Sequence, residues 1–239
     1  MTQIHEIAPN VFRISAFVPQ FGFTLNLFLV RDNEPLLYHT GPKALFSEFS
    51  KAAASLIELK DLRWISYSHY ESDECGALND WLAVAPQAVA VTGFVSASVN
   101  GDFAVRPIRP LSDNETFSTG KKTFRYVRTP HLPHGWDAGL LFEETDRVLF
   151  TSDLFHQNGE VEAITEESIV PQTKDLLSSQ GPFSHYISYS SQTAQLLERL
   201  AELNPQVLAV MHGASFKGDC KKVINEFHTL LREQAAGNN

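Results

Sequence analysis

Four apolar, strand-like runs in this chain each stop at a residue able to bind a metal ion, and that coincidence limits the available folds more than any other feature. LRWISYS runs into His69, TFRYVR into the segment TPHLPHGWDAG, RVLFTS into Asp153, and PQVLAVM into His212. Strand ends along one edge of a sheet converge in space, and loops held on such a rigid edge commonly carry chemistry. A fold that laid the four runs in unrelated places would scatter these groups. One that sets them side by side collects them.

The densest of the motifs is HYESDECGA, residues 69–77, with one histidine, three carboxylates and a cysteine. In His69-x-Glu71-x-Asp73 alternate side chains point the same way if the loop is extended, so all three can reach a common centre. Imidazole combined with carboxylates is a harder ligand set than imidazole combined with thiolates. It leans towards iron or manganese and leaves zinc open. A single aspartate such as Asp153 can bridge two cations with its two oxygens. Each residue alone has a plainer reading. His212 would be a hydrogen-bonded structural histidine and Asp153 a turn cap. Glu74 would be a first-turn glutamate favoured by the helix dipole, and Cys75 a small buried residue. Taken jointly they read as a metal site. His5, His39, His156, His185 and His228 have no supporting neighbours and read as structural or exposed.

The 239 residues, 43% of them hydrophobic, suit one globular domain over 1–239 with a sizeable core. A net charge of −9, with no block of lysine or arginine, makes nucleic acid and anionic membranes poor partners. No apolar run approaches the roughly 18 residues of a membrane span. The N-terminus lacks the pattern of a signal peptide, and only two cysteines, Cys75 and Cys220, are present. Together these point to the reducing cytoplasm.

Strands are expected at NVFRISAF, TLNLFLV and PLLYH, followed by a helix from Ala44 to about Leu59 that repeats apolar residues at helical spacing. After LRWISYS, a helix over 75–85 and a short strand, VAVTG, are expected. TFRYVR, GLLFEE and RVLFTSD read as three successive strands, ahead of an acidic loop near 159–168. Helices over about 188–203 and 218–235 flank the strand PQVLAVMHG. Strands grouped in each half, with helices between and after them, predict an α/β domain of two sheets covered by helices.

At these residues the sequence resembles the metallo-β-lactamase superfamily. Within it, the likeness is to the diiron domain of the flavodiiron proteins and to the single-domain oxygen-binding diiron proteins. It runs from NLFLV at 26–30 to MHGAS at 211–215. Where the general hydrolase pattern reads His-x-His-x-Asp-His, Glu71 replaces the second histidine, as in the diiron oxidoreductase branch. PHGWDAG at 133–139 looks like that branch's histidine-plus-aspartate segment, and LFTSDLF at 149–155 like its bridging-aspartate strand. The tail from SHYISYS to MHG is similar in layout to its helix, strand and last histidine.

The resemblance implies a four-layer αββα sandwich of metallo-β-lactamase type. It implies His69, Glu71 and His134 on one metal, Asp73 and His212 on the other, and Asp153 between them. His131 competes with His134, which the resemblance favours because Asp137 follows it at the spacing of the branch. Three departures stand out. Glu74 occupies the place of a histidine, leaving the second metal with one fewer protein ligand or with an extra carboxylate. His39, in YHTG, stands where the superfamily often has aspartate. The chain stops at Asn239 with no flavodoxin-like domain expected, so electrons are expected from another protein or a small reductant.

These readings imply a non-haem diiron protein that binds or reduces dioxygen, nitric oxide or peroxide. Glu71, Asp73 and Asp153 offer three negative charges against the four of two ferrous ions, and Glu74 or a hydroxide would supply the fourth. One alternative is a zinc or manganese hydrolase, whose bridging water, acidified to a pKa near 7, attacks an ester, thioester, amide or phosphodiester. Another is a non-catalytic diiron oxygen sensor. A homodimer is an expectation from family likeness alone.

Overall fold

The computed structural model describes residues 2–179, 181 and 186–237. Its strands form two seven-stranded sheets. The first holds, in spatial order, β1 (Gln3–Ala8), β2 (Val11–Val18), β3 (Phe23–Val30), β4 (Leu36–Tyr38), β5 (Trp64–Ser66), β6 (Val89–Gly93) and β7 (Arg109–Leu111). The second is built from β8 (Thr116–Ser118), β9 (Thr123–Arg128), β10 (Gly139–Glu143), β11 (Val148–Ser152), β12 (Ile164–Thr165), β13 (Val207–Val210) and β14 (Ser215–Lys217). Its order is β12-β14-β13-β11-β10-β9-β8.

Strand β3 shows how the layers arise. Every one of its residues is buried, which a strand achieves only when both faces of its sheet are covered. Leu25, Leu27 and Leu29 pack outward against Phe49, Ala53 and Trp81, on helices α1 (Phe46–Ala54) and α3 (Leu78–Val84). The alternate residues Phe28 and Val30 point inward and meet Phe124, Leu141 and Phe150 of the second sheet. On the far side, the second sheet is covered by α5 (Val170–Leu177), α6 (Ser191–Glu202) and α7 (Cys220–Gly237), through residues such as Leu197, Leu200, Ile224 and Phe227. The result is the expected order of helix, sheet, sheet, helix. Among the described residues, no helix is long and apolar enough to cross a membrane.

Strands β4, β5, β6 and β7 run parallel, as do β11 and β13. Parallel neighbours need crossover connections, which in α/β layers run through the covering helices. The carboxyl ends of these strands therefore lie at one edge, where the loops carrying His39, His69, Asp153 and His212 begin. That edge is where the ligand motifs meet.

Some elements differ from the sequence expectations. The first helix is shorter than 44–59, ending at Ala54, where the Ser55 hydroxyl donates to the Ala52 carbonyl and turns the chain. The expected helix over 75–85 is two pieces, α2 (Ser72–Cys75) and α3. Helix α4 (Phe94–Asn100), helix α5 and strands β1, β7, β8, β12 and β14 are additional elements. Most are too short to build a periodic pattern. Strand β1 is an edge strand with one fully buried residue, so alternation is faint. His185 lies outside the described residues.

Candidate metal centre

His69 sits just past β5 and is 1% exposed, Asp153 follows β11 directly, and His212 lies two residues past β13. His134 comes from the longer loop between β9 and β10. The opening motif departs from a fully extended geometry. Glu71 is extended at φ −139° and ψ 162°, and the chain then enters the one-turn helix α2. Beyond Glu71 the alternation of side chains stops. Asp73 and Glu74 consequently point towards a different centre from Glu71.

Two groups of donor atoms result. His69, Glu71, His134 and Asp153 form the first, and Asp73, Glu74 and His212 the second. In the first, Nε2 of His69 lies 3.5 Å from Oε2 of Glu71 and 3.5 Å from Oδ2 of Asp153. Nε2 of His134 lies 3.4 and 3.5 Å from the same two oxygens. In the second, Nε2 of His212 lies 3.3 Å from Oδ2 of Asp73 and 3.0 Å from Oδ1 of Asp153. Around a cation with bonds of about 2.1 Å, adjacent donors sit about 3.0–3.4 Å apart in octahedral or tetrahedral arrangements. The observed spacings match those edges. Asp153 turns one oxygen to each group, the geometry of a bridging carboxylate.

The hydrogen bonding of these atoms supports the same use. His69 Nε2, His134 Nε2, both Asp153 oxygens and both Glu74 oxygens are buried without a hydrogen-bond partner. Burying so many polar groups unpaired costs about 1–3 kcal/mol each, a cost that a bound cation removes. The residues present therefore fit a two-cation cluster.

The electrostatics of the donor groups follow from this crowding. The close approach of the His134 ring, then of the His69 ring, to its carboxylate draws Glu71 down to about 2. Burial alone would depress the His212 imidazole, but the adjacent Asp153 and Asp73 carboxylates outweigh it and raise the ring to about 10. Glu74 is raised well above the carboxylate range by burial, with the Asp153 and Asp73 charges adding to it.

A hydrogen-bonded shell holds the candidate ligands. Ser68 Oγ lies 2.9 Å from Nδ1 of His69, 2.7 Å from Oγ of Ser152 and 3.2 Å from Nε2 of His39, and all of these groups are buried. With His69 Nε2 facing the cluster, its proton sits on Nδ1 and donates to Ser68. On the other side, Asp137 Oδ2 accepts from the Tyr70 backbone N–H at 2.8 Å and fixes the loop between His69 and Glu71. The His212 loop is tied to the first sheet. Asn26 Nδ2 donates to the carbonyls of Val210 and Gly213, and the buried Arg13 donates to Gly213. Gly213 has φ 140°, and Gln157 leaves no room for a Cβ there.

Of the expected residues, His69, Glu71, Asp73, His134, Asp153 and His212 are brought together, and Asp137 supports the loop without joining either group. His131 is exposed and lies outside both groups. Glu74 corrects its first reading as an ordinary first-turn glutamate. It is fully buried, on a helix of only four residues, with its carboxylate in the second group. Two histidines read as lacking neighbours have them. His39 bonds Ser68, and His156 is buried, with its ring 4.6 Å from that of His212. No local signal marks His156, because its neighbours come from distant parts of the chain. His228 contacts Tyr189, away from the site. Cys75 and Cys220 are buried free thiols.

The cluster opens into a cavity of about 570 Å³ whose walls include Phe21, Phe23, Leu25, Pro42, His156 and Tyr186. Tyr186 donates its hydroxyl to the Asp153 carbonyl. Burial holds His156 down to about 3, so its ring is neutral in this largely apolar chamber.

A family model described as ODP family beta lactamase matches residues 23–213. The rubredoxin-oxygen oxidoreductase of Megalodesulfovibrio gigas is 26% identical over 202 residues, covering 82% of this chain and 50% of that protein. The anaerobic nitric oxide reductase flavorubredoxin of Salmonella arizonae is 26% identical over 210 residues, covering 85% of this chain and 43% of that protein. The chain spans about half the length of the curated relatives it matches. In fold it is similar to the flavodiiron protein from Giardia intestinalis, with a TM-score of 0.81 at 19% identity over 97% of this chain and 60% of that one.

Proposed function

The chain belongs to the ODP family of beta lactamases, and from that premise we propose that it is a non-haem diiron protein that binds or reduces dioxygen or nitric oxide. The observation that carries the reading is Asp153, whose two oxygens face two separate sets of nitrogen and oxygen donors. His69, Glu71 and His134 would hold one ion, and Asp73 and His212 the other. The described residues would then act as one metal-binding domain. Relatives named for oxygen and nitric oxide reduction support the choice of a small diatomic substrate, and the imidazole-and-carboxylate donor set suits iron.

When bound, the iron pair supplies the electrons and the open coordination positions that such substrates need. The protein's residues do the rest. Phe21, Phe23 and Leu25 give the chamber an apolar wall that favours a small uncharged molecule over water. Tyr186 anchors the backbone of the bridging Asp153, and Ser68 orients His69 by accepting its Nδ1 proton. Electrons reach the site from a donor outside the described residues, a redox protein or a small reductant.

The experiment that tests this is metal analysis of protein purified anaerobically without added metal, followed by oxygen and nitric oxide uptake with a chemical reductant. The expected result is iron in both subsites and repeated consumption of one gas. Zinc or manganese without iron, together with turnover of an activated ester, would instead make the protein a hydrolase. Uptake that stops at one equivalent under excess reductant would make it a sensor.

A further inference from the structure

Glu74 is the most deeply buried carboxylate of the cluster and the one whose presence the six-ligand assignment leaves unexplained. It is 0% exposed, its two oxygens meet no hydrogen-bond donor, and its side chain abuts the carboxylate of Asp73. Among the described residues, the one basic group within 4 Å of it is the His69 ring, whose Nε2 lies 3.9 Å from Oε1. Its other close neighbours are acids, Asp73 in the same group and the bridging Asp153. A buried carboxylate among other carboxylates, without a cation or a donor, is strongly disfavoured.

The backbone nonetheless holds it there firmly. The Glu74 carbonyl accepts from the Thr40 N–H at 2.8 Å, and just beyond, the Ala77 N–H donates to the Gly41 carbonyl at 3.0 Å. The turn of α2 is thus stitched to the loop after β4, and its side chain is fixed towards the second donor group. Helix dipole stabilisation is a poor explanation, because a helix of four residues has little macrodipole and the side chain does not face solvent.

We propose that Glu74 is a direct ligand of the second cation, completing a subsite with Asp73, His212 and the shared Asp153. The proposal rests on the two-cation reading above and specifies how its second half is made. The two subsites then differ in kind. The first offers two imidazoles with Glu71 and its share of Asp153, whereas the second offers one imidazole with two carboxylates of its own and its share of Asp153. The second is the harder of the two and suits oxygen-preferring cations such as ferrous iron or manganese(II). With Glu71, Asp73, Glu74 and Asp153 all ionised, four negative charges balance two divalent cations. The protein alone neutralises the pair, with no hydroxide required.

The test uses cobalt(II) as the probe, because its visible absorption reports coordination number. The metal-free 239-residue chain and its Glu74→Gln, Asp73→Asn and His69→Ala variants are titrated, with bound cobalt counted after gel filtration. Wild type is expected to bind two cobalt ions per chain in two phases. Glu74→Gln is expected to keep the phase lost in His69→Ala and to weaken the phase lost in Asp73→Asn by more than about 100-fold, beyond the roughly 10–100-fold typical of removing an outer-sphere partner. Glu74→Gln that binds two ions with unchanged affinity and spectrum overturns the role of Glu74 and leaves the two-cation site standing. Wild type that binds fewer than two ions overturns the underlying reading instead. If Glu74→Gln does not fold, Glu74→His, which retains a donor, takes its place. Two ions with a shifted spectrum in the second phase would support ligation, and an unaltered spectrum would refute it.

Discussion

Replacing Ser68 by alanine removes one oxygen atom from the densest polar knot beneath the candidate metal centre. That hydroxyl stands 2.9 Å from His69 Nδ1, 2.7 Å from Ser152 Oγ and 3.2 Å from His39 Nε2, with no solvent access to any of the three. In Ser68→Ala the Nδ1–H of His69 loses its acceptor, and Ser152 or His39 loses a donor. Each of the two stranded groups costs about 1–3 kcal/mol, so the metal-free protein should lose about 2–6 kcal/mol of stability. His39 cannot compensate by taking up a proton, because burial holds its ring down to about 3. The loaded protein should lose more, since a freed imidazole ring no longer presents Nε2 in a fixed direction. A roughly 10–100-fold weaker metal affinity in the first subsite is expected. Urea unfolding of the metal-free and iron-loaded forms, followed by tryptophan fluorescence, separates the two effects. A Ser68→Ala protein within about 0.5 kcal/mol of wild type in both forms would refute the reasoning, because surface-like behaviour of this kind is incompatible with a buried relay.

Other perturbations give equally distinct outcomes. Asp153→Ala should abolish binding at both subsites, whereas His228→Ala and His131→Ala should leave the metal content at the wild-type level, as plasma mass spectrometry would show. Metal uptake should release protons at pH 7. With His212 raised to about 10 against an ordinary value of 6.5, its ring is protonated in the metal-free fold and must lose that proton to bind. Affinity should accordingly rise with pH through the neutral range and level off towards pH 10, and calorimetry in buffers of different ionisation enthalpy would reveal the protons. The same raised value makes the His212 contribution to metal-free stability fully present below pH 6.5 and lost as pH climbs through about 10, measurable by thermal melts. Gly213→Ala should destabilise the fold by about 1–3 kcal/mol, because a side chain at φ 140° is strained and meets Gln157; unchanged melting would overturn that account.

The candidate ligands were legible to the extent that they obey one rule, residence at the end of a parallel strand. His69, Asp153 and His212 follow it directly, and the apolar runs before them are the buried cores of β5, β11 and β13. What could not be read is geometry that depends on burial. Nothing local separates Glu74 from its exposed neighbour Glu71 within an acidic run. Only the packing of α2 against the loop after β4 decides that one is buried. His156 escaped for the related reason that its environment, Phe23 and His212, comes from other strands. Helix α5 carried a usable signal, a proline in its first turn, but the acidic loop before it obscured the start.

Each donor group draws on both halves of the chain. The first pairs His69 and Glu71 with His134 and Asp153, and the second pairs Asp73 and Glu74 with His212 and the other oxygen of Asp153. Neither half can therefore grip an ion before the two sheets have met. As the chain emerges from the ribosome, its first half offers the donor groups only carboxylates and the one imidazole of His69. The cluster is complete only when the strand ending at Val210 lies beside β11 and brings His212 to the site. Metal entry would then act as an inspection of the finished fold: a chain that had joined its halves in the wrong register would have nowhere to put the ion.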